Sequence, residues 1–309
     1  MLKSKHLIGL EHFPTSDLNK IIDTSFKFKE ILESPDRKAI LLKGKTIVNM
    51  FFENSTRTKI SFTLAEKRLG ADSINFSAST SSVKKGETLK DTVQNIESMK
   101  IDGAVIRHGH PGSALKLTEY IDGAVINAGD GSHEHPTQAI LDMVTLKEKF
   151  GKIKNLKVGI IGDILNSRVA RSDIFALKKL GAKIVVCGPS TLLPSNAKQL
   201  GVNITHNIEE VLSWCDVVIG LRIQLERMHL GRIPSKREYH SEFGLTYERI
   251  SKLKKDIVIM HPGPMNRGVE IDSKIADSEN AVILDQVLNG VASRMSILYL
   301  LLADKPENL

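Results

Sequence analysis

Cysteine is nearly missing from this chain of 309 residues, which has only Cys187 and Cys215. They stand far apart and form no C-x-x-C pair, which excludes a disulfide framework and offers no cysteine-based zinc or redox motif. Both read as small buried apolar residues. Aromatic residues make up 5% of the chain, with a single tryptophan, too few stacking platforms for a single-strand nucleic-acid binder. Long apolar runs are also missing: the most apolar stretch, Ile297 to Leu302, falls well short of a bilayer span. Met1 to His6 lacks the apolar core of a signal peptide. The expectation is a cytoplasmic protein with no membrane partner.

What is present is ordinary for a globular protein: 41% hydrophobic and 26% charged residues, leaving no room for extensive disorder. A chain of this length exceeds the size at which one core keeps growing, so two domains are expected. The formal charge of +7 suits an acidic partner, either a nucleic acid or a small polyanionic substrate.

Leu18, Ile21, Ile22 and Phe26 recur at helical spacing after a capping cluster, Thr15-Ser16-Asp17, and predict a first helix to about Leu32. Strands and helices then alternate: strand 46–52, helix 56–69, strand 73–76, helix 87–99, strand 104–106, helix 113–120, strand 124–127 and a long helix 136–150. This is the rhythm of a parallel sheet covered on both faces. Residues 151–155 read as a hinge. The rhythm restarts with strand 157–161, helix 169–180, strands 183–186 and 202–205, helix 208–214, strand 217–220, helix 247–253 and strand 257–260. Arg222 to Gly244 reads as a long basic loop, and Val282 to Leu302 as a terminal pair of helical segments. The predicted class is α/β, with two doubly wound parallel-sheet domains linked by long helices, residues 1–150 and 151–309. A C-terminal helix at about 282–303 is expected to pack back on the first domain and across both. The hexapeptide Ile101 to Ile106 recurs verbatim as Ile121 to Ile126; one copy without a sustained period fits two neighbouring buried strands, not a repeat array.

The turn after the first strand carries Ser55, Thr56, Arg57 and Thr58. The first N–H groups of a helix lack carbonyl partners and bear the positive end of the macrodipole. Three hydroxyls and a guanidinium there suit a phosphate, the plainer alternative being an ordinary N-cap. Thr80 to Thr88, with Lys84 and Lys85 beside Gly86, reads as a polar loop whose lysines reach a phosphate or are simply solvated. Arg107 and His108 follow a strand, where open parallel sheets bind ligands. Asp130 to Gln138 opens the long helix with Pro136 in its first turn. His133 and His135 lack the third ligand of a zinc site, so no metal is expected. His135 and Gln138 read as donors to a ligand carbonyl, or as part of a capped, solvated helix start.

Gly159 to Asp163 lacks the G-x-G-x-x-G spacing and the acidic residue of a dinucleotide site, and no cofactor is expected. Arg168 and Arg171, and the run Arg222-Ile223-Gln224, lie at two strand ends of the second half. Their planar forks suit a dicarboxylate, with surface ion pairing as the alternative. His261 to Gly268 holds two prolines whose fixed backbone presents carbonyls to a ligand amine, or forms a stiff turn.

Together, Phe52-Glu53-Asn54-Ser55-Thr56-Arg57-Thr58, Lys84-Lys85-Gly86-Glu87-Thr88, His135-Pro136-Thr137-Gln138 and His261-Pro262-Gly263-Pro264 resemble the ordered motifs of the carbamoyltransferase family over nearly the whole chain. The last favours the aspartate branch, since ornithine members carry a cysteine after that histidine and a Ser-Met-Gly element, both missing here. The resemblance implies carbamoyl phosphate and L-aspartate as substrates, N-carbamoyl-L-aspartate and phosphate as products, and an early step of pyrimidine biosynthesis without a cofactor. It implies that Ser55, Thr56, Arg57 and Thr58 bind the phosphate, that Thr58, Arg107 and His135 polarise the carbamoyl carbonyl, and that Gln138 contacts its amide. Arg168, Arg222 and Gln224, with Lys85, would hold the aspartate carboxylates, the carbonyls of Pro262 and Gly263 lying near the amine. Ser81, or Ser82 in its stead, and Lys85 would come from a neighbouring subunit of a homotrimer with shared sites. A regulatory or dihydroorotase-like partner stays open. Gly263 stands where many relatives carry leucine, which bears on the shape of the amine pocket.

The implied chemistry agrees with the residue types. A neutral amine attacks a carbonyl whose oxyanion needs preset donors, and the leaving phosphate accepts the amine proton, so no dedicated side-chain base is required. Positioning, electrostatics and domain closure that expels water would supply the acceleration. Competing readings are an ornithine or other amino-acid acceptor, and a basic nucleic-acid binder whose affinity would fall steeply with salt.

Overall fold

The computed structural model describes residues 2–77, 88–195, 197–223 and 235–306. Packing divides the chain into two compact units, Met1–Val144 with Leu288–Leu309, and Thr145–Val287. The first contains α1 (Thr15–Glu33), β1 (Thr46–Phe51), α2 (Thr56–Leu69), β2 (Asp72–Ser77), α3 (Leu89–Glu97), β3 (Gly103–His108), α4 (Ser113–Leu117) and β4 (Ala124–Asp130). Its four strands form a parallel sheet in the order β2-β1-β3-β4. The helix α5 (Pro136–Phe150) leads into the second unit, which holds β5 (Lys157–Ile161), α6 (Arg168–Lys179), β6 (Lys183–Cys187), β7 (Asn203–Thr205), α7 (Ile208–Trp214), β8 (Val217–Gly220), α8 (Lys236–Phe243), α9 (Tyr247–Ser251), β9 (Val258–Met260) and α10 (Ser273–Ala276). Its parallel sheet runs β7-β6-β5-β8-β9. The chain returns to the first unit through α11 (Ile283–Leu302).

Parallel neighbours need a crossover, and helices supply it. Because helices cover the sheets, β1 and β3 are buried at nearly every position and β4 at every one, while β2 at the other edge leaves Asp72, Ile74 and Asn75 exposed. Val48, Met50, Ile106 and Val125 pack with Val93 and Leu117 on one face of the first sheet. Ser296 Oγ donates to Ile21 O at 2.8 Å, and Phe28 and Tyr299 meet edge to face, so α1 packs on α11. The twin hexapeptides are adjacent strands, Gly103 opposite Ala124. Each sheet reverses its winding once, between β1 and β3 and between β5 and β8. At such a switch point the loops diverge and leave a crevice beyond the strand carboxyl ends.

Several expectations are corrected. The basic loop from Arg222 to Gly244 ends in α8: the Ser235 hydroxyl accepts the Glu238 N–H at 3.0 Å, an S-x-x-E start that two apolar rings, Tyr239 and Phe243, made hard to read by period. The terminal pair of segments is one helix, α11; Asn289-Gly290 looks like a break, but a Cβ on Gly290 would stand 3.2 Å from Leu141 Cδ2, so glycine there permits close packing on α5. Thr15-Ser16-Asp17 does not cap α1, whose N-cap is Pro14; the Asp17 carboxylate accepts the Lys3 and Ser4 N–H groups at 2.9 and 3.0 Å. Ala128 to Asp130 prolong β4 beyond the expected end at Asn127, whose amide donates to Ile8 O and Asp130 Oδ1, each at 2.8 Å. Cys187 and Cys215 are buried and unbridged, and burial pushes both thiols up to about 12. Among the described residues no helix is long and apolar enough to cross a membrane.

Glu66 on α2 is fully buried, its Oε2 accepting from Asn49 Nδ2 at 2.8 Å and from the Ser73 hydroxyl. Burial raises its carboxyl to about 7 against the pull of those two bonds. The folded state therefore holds this proton more tightly than the unfolded chain does. The stability that Glu66 contributes is fully present below about pH 4.5, falls as pH rises through about 7 and then levels, a loss of roughly 3 kcal/mol from this one group. Glu66→Gln is expected to flatten that slope in denaturant melts taken from about pH 4 to about pH 8; an unchanged slope refutes the assignment.

Candidate active site

In the first unit, β1 runs out through Phe52 and Glu53, and α2 starts after Ser55. Ser55 is the N-cap in extended conformation, yet its hydroxyl makes no capping bond and donates instead to Thr58 Oγ1 at 2.9 Å. Arg57 stays exposed to solvent. Its guanidinium is drawn below the usual arginine range, first by partial burial, with Asp142 opposing. Arg107 lies in β3 opposite Phe51 and is 9% exposed. Its Nη1 donates to Ala128 O on β4 at 3.2 Å and its Nη2 to Glu53 Oε1 at 2.8 Å, so one rigid fork spans three strand ends.

His135, 5% exposed, directly precedes α5, and its carbonyl accepts the Gln138 N–H at 3.0 Å. Gln138 Nε2 donates to both Asp142 oxygens at 3.2 and 3.3 Å. Behind them Arg294 of α11 is buried, its Nη1 donating to Gly290 O at 2.7 Å and its guanidinium carbon 5.0 Å from the Phe62 ring centre. Burial first, then Arg57, lower this guanidinium to about 9, with Asp142 opposing and Arg107 adding to the effect. The unit thus gathers Ser55, Thr56, Arg57, Thr58, Arg107, His135 and Gln138 at the carboxyl ends of β1, β3 and β4, flanking the switch point. Ser81 and Lys85 lie outside the described residues. Sequence reading missed Glu53, Asp142 and Arg294. The signals were there: Gln138 and Asp142 are four apart on one helix face, and Arg294 is the one charge inside the apolar run from Val291 to Leu302.

In the second unit, Arg168 opens α6, 4% exposed, after Ser167 whose hydroxyl accepts the Ala170 N–H at 3.1 Å. The buried Asp163 carboxylate shapes the preceding turn, accepting from Asn166 N at 3.1 Å and from Asn166 Nδ2 at 2.9 Å. Arg222 follows β8 and is half-buried, next to Leu221 whose N–H prolongs the ladder to Ile161 O at 2.8 Å. Pro262 and Gly263 follow β9; the Gly263 N–H donates to His261 Nδ1 at 2.8 Å, which leaves Nε2 as the protonated nitrogen, 3.3 Å from the buried Glu270 Oε1. Asn266 Nδ2 donates to Ile223 O at 3.1 Å and to Glu270 Oε2 at 3.2 Å, tying this turn to the Arg222 strand end. Arg168, Arg222, Pro262 and Gly263 therefore sit beyond three adjacent strands, β5, β8 and β9. Gln224 lies outside the described residues.

Fold and donor set define a class: an α/β enzyme of two parallel-sheet units, each presenting guanidinium, imidazole, amide or hydroxyl donors at the switch point of its sheet. Residues 5–148 match the carbamoyl-P binding domain of aspartate/ornithine carbamoyltransferases, and residues 154–301 match the Asp/Orn binding domain. The chain belongs to the aspartate/ornithine carbamoyltransferase family. It is 56% identical over 300 residues to the aspartate carbamoyltransferase catalytic subunit of Christiangramia forsetii, with 97% of each chain covered. Identity to the catalytic subunit of Cytophaga hutchinsonii is 54% over 304 residues, covering 98% of this chain and 99% of that one. The crystal structure of aspartate transcarbamoylase from Trypanosoma cruzi in complex with carbamoyl phosphate has a TM-score of 0.89 and 29% identity, covering 98% of this chain and 97% of that chain.

Proposed function

We propose that the first unit holds carbamoyl phosphate, that the second holds L-aspartate, and that the chain transfers the carbamoyl group between them. The products are N-carbamoyl-L-aspartate and phosphate. The observation that carries this reading is the set of Ser55, Arg57, Thr58, Arg107, His135 and Gln138 at three adjacent strand ends, in a chain 56% identical to a named aspartate carbamoyltransferase subunit. The hydroxyls, Arg57 and the first N–H groups of α2 hold the phosphate. Arg107, His135 and Thr58 donate to the carbonyl oxygen as it gains charge, and Gln138 orients the amide. The neutral aspartate amine attacks the carbonyl carbon, a C–N bond forms, the C–O bond to phosphate breaks, and the phosphate carries off the amine proton. Arg168, Arg222 and Gln224 grip the two carboxylates, the Pro262 and Gly263 carbonyls face the amine, and Lys85 with Ser81 reaches in from a neighbouring subunit. The protein works as a cytoplasmic homotrimer at an early step of pyrimidine synthesis.

The test is an assay of purified protein with carbamoyl phosphate and either L-aspartate or L-ornithine, with the solution mass measured alongside. Aspartate is expected to react at least about 10⁴ times faster than ornithine, whose cationic side chain would meet Arg222. The mass is expected to be three times the 34.2 kDa of one chain. Preference for ornithine overturns the acceptor, and a monomer active at full rate overturns the shared site.

A further inference from the structure

The amino-terminal segment is built onto the sheet edge at β4, beside the turn that leads to His135. Leu7 forms a parallel bridge with Ile126 of β4, its N–H donating to Val125 O at 2.9 Å and its carbonyl accepting the Asn127 N–H at 2.8 Å. The Val125 N–H donates to His6 Nδ1 at 3.1 Å, and Asn127 Nδ2 donates to Ile8 O at 2.8 Å. The segment then ends on Glu134. Its Oε2 accepts the Leu10 N–H at 2.7 Å and its Oε1 the Glu11 N–H at 3.3 Å, and the side chain is 1% exposed. Gly9 lies flat against this carboxylate: a Cβ there would stand 2.8 Å from Glu134 Cδ, so a larger residue at position 9 would push the carboxylate aside. The Glu134 backbone is pinned as well, its N–H on Asp130 Oδ1 at 3.2 Å and its carbonyl accepting the Asp130 N–H at 3.1 Å. His135 is the next residue.

Burying a carboxylate is costly, and it is tolerated here through N–H groups from a segment 124 positions earlier. An apolar side chain would close the same space but would take this acceptor from the buried Leu10 N–H. What the carboxylate supplies is direction: two N–H donors fix where the peptide before His135 lies. We propose that residues 6–11 and Glu134 act as a strap that sets the position of His135, with Glu134 a positioning residue for the carbonyl-polarising imidazole. This rests on the role given to His135 above.

The full-length chain is compared as Glu134→Ala, Glu134→Gln, Gly9→Ala, His135→Gln and the double variant Glu134→Ala/His135→Gln. Displacement of a donor by about 1 Å costs about 10²-fold in rate, so Glu134→Ala is expected to lower kcat about 30-fold. Its affinity for inorganic phosphate, which meets the Ser55 to Thr58 turn, stays within about 3-fold. Gly9→Ala follows in the same direction, and Glu134→Gln, which keeps one acceptor oxygen, loses about 3-fold. The double variant is expected to be no slower than His135→Gln alone, because the effect passes through the imidazole. Wild-type kcat in both Glu134→Ala and Gly9→Ala overturns the proposal, and so does a full additional loss in the double variant. A parallel drop in phosphate affinity, marking general loss of structure, overturns it too. Wild-type turnover by His135→Gln strikes instead at the site reading beneath it. If Glu134→Ala does not fold, Glu134→Gln and Gly9→Ala supply the same comparison.

Discussion

Arg57→Ala is expected to lower kcat by about 10³-fold, since removal of one preset donor from a developing or departing anion costs about that much. The fold is expected to survive intact or slightly stabilised. Arg57 is exposed on the first turn of α2, and its charge disfavours the buried Arg294, whose guanidinium is already lowered to about 9. Removing a neighbouring cation raises Arg294 back toward its ordinary range, which favours the folded, charged state. Steady-state kinetics with thermal unfolding separates the two effects. Near-normal turnover, or a large drop in melting temperature, contradicts the assignment of Arg57 to the phosphate.

Arg222→Ala is expected to act on the other substrate. A bidentate grip comprises two charge-assisted hydrogen bonds, each worth about 1.5–3 kcal/mol, so kcat/KM for aspartate falls by about 10²- to 10⁴-fold. Binding of inorganic phosphate to the first unit stays unchanged. Arg222→Lys is expected to recover little, because an ammonium is a point charge without the planar fork. Isothermal titration with phosphate beside an aspartate saturation series decides the matter: a matching loss of phosphate affinity would place Arg222 elsewhere than on the acceptor.

The sequence was easiest to read where period and punctuation agree. Helix α2 begins at Thr56 and ends before Gly70, and α5 spans Pro136–Phe150, as the apolar spacing and the terminal residues predict. Candidate donors were visible because Arg, His and hydroxyl residues cluster just after β-branched strands. What stayed hidden depends on tertiary contact. Helix α8 has too few apolar residues to show a period, and only its Ser235-to-Glu238 cap marks it. The carboxylates of Glu53 and Asp142 look misplaced beside an anion site until the fold shows them holding Arg107 and Gln138. Glu134 reads as one more polar residue of a loop until its partners, Leu10 and Glu11, arrive from the far end of the chain.

The division of donors between two sheets has an evolutionary corollary. Among the described residues, the groups assigned to carbamoyl phosphate sit at the carboxyl ends of β1, β3 and β4, and those assigned to the amino acid sit at the carboxyl ends of β5, β8 and β9. Substitutions in the second set can redirect the enzyme to a different acceptor while the carbamoyl donor is inherited unaltered. Such a layout lets one ancestral gene diversify by remodelling half of its reaction at a time.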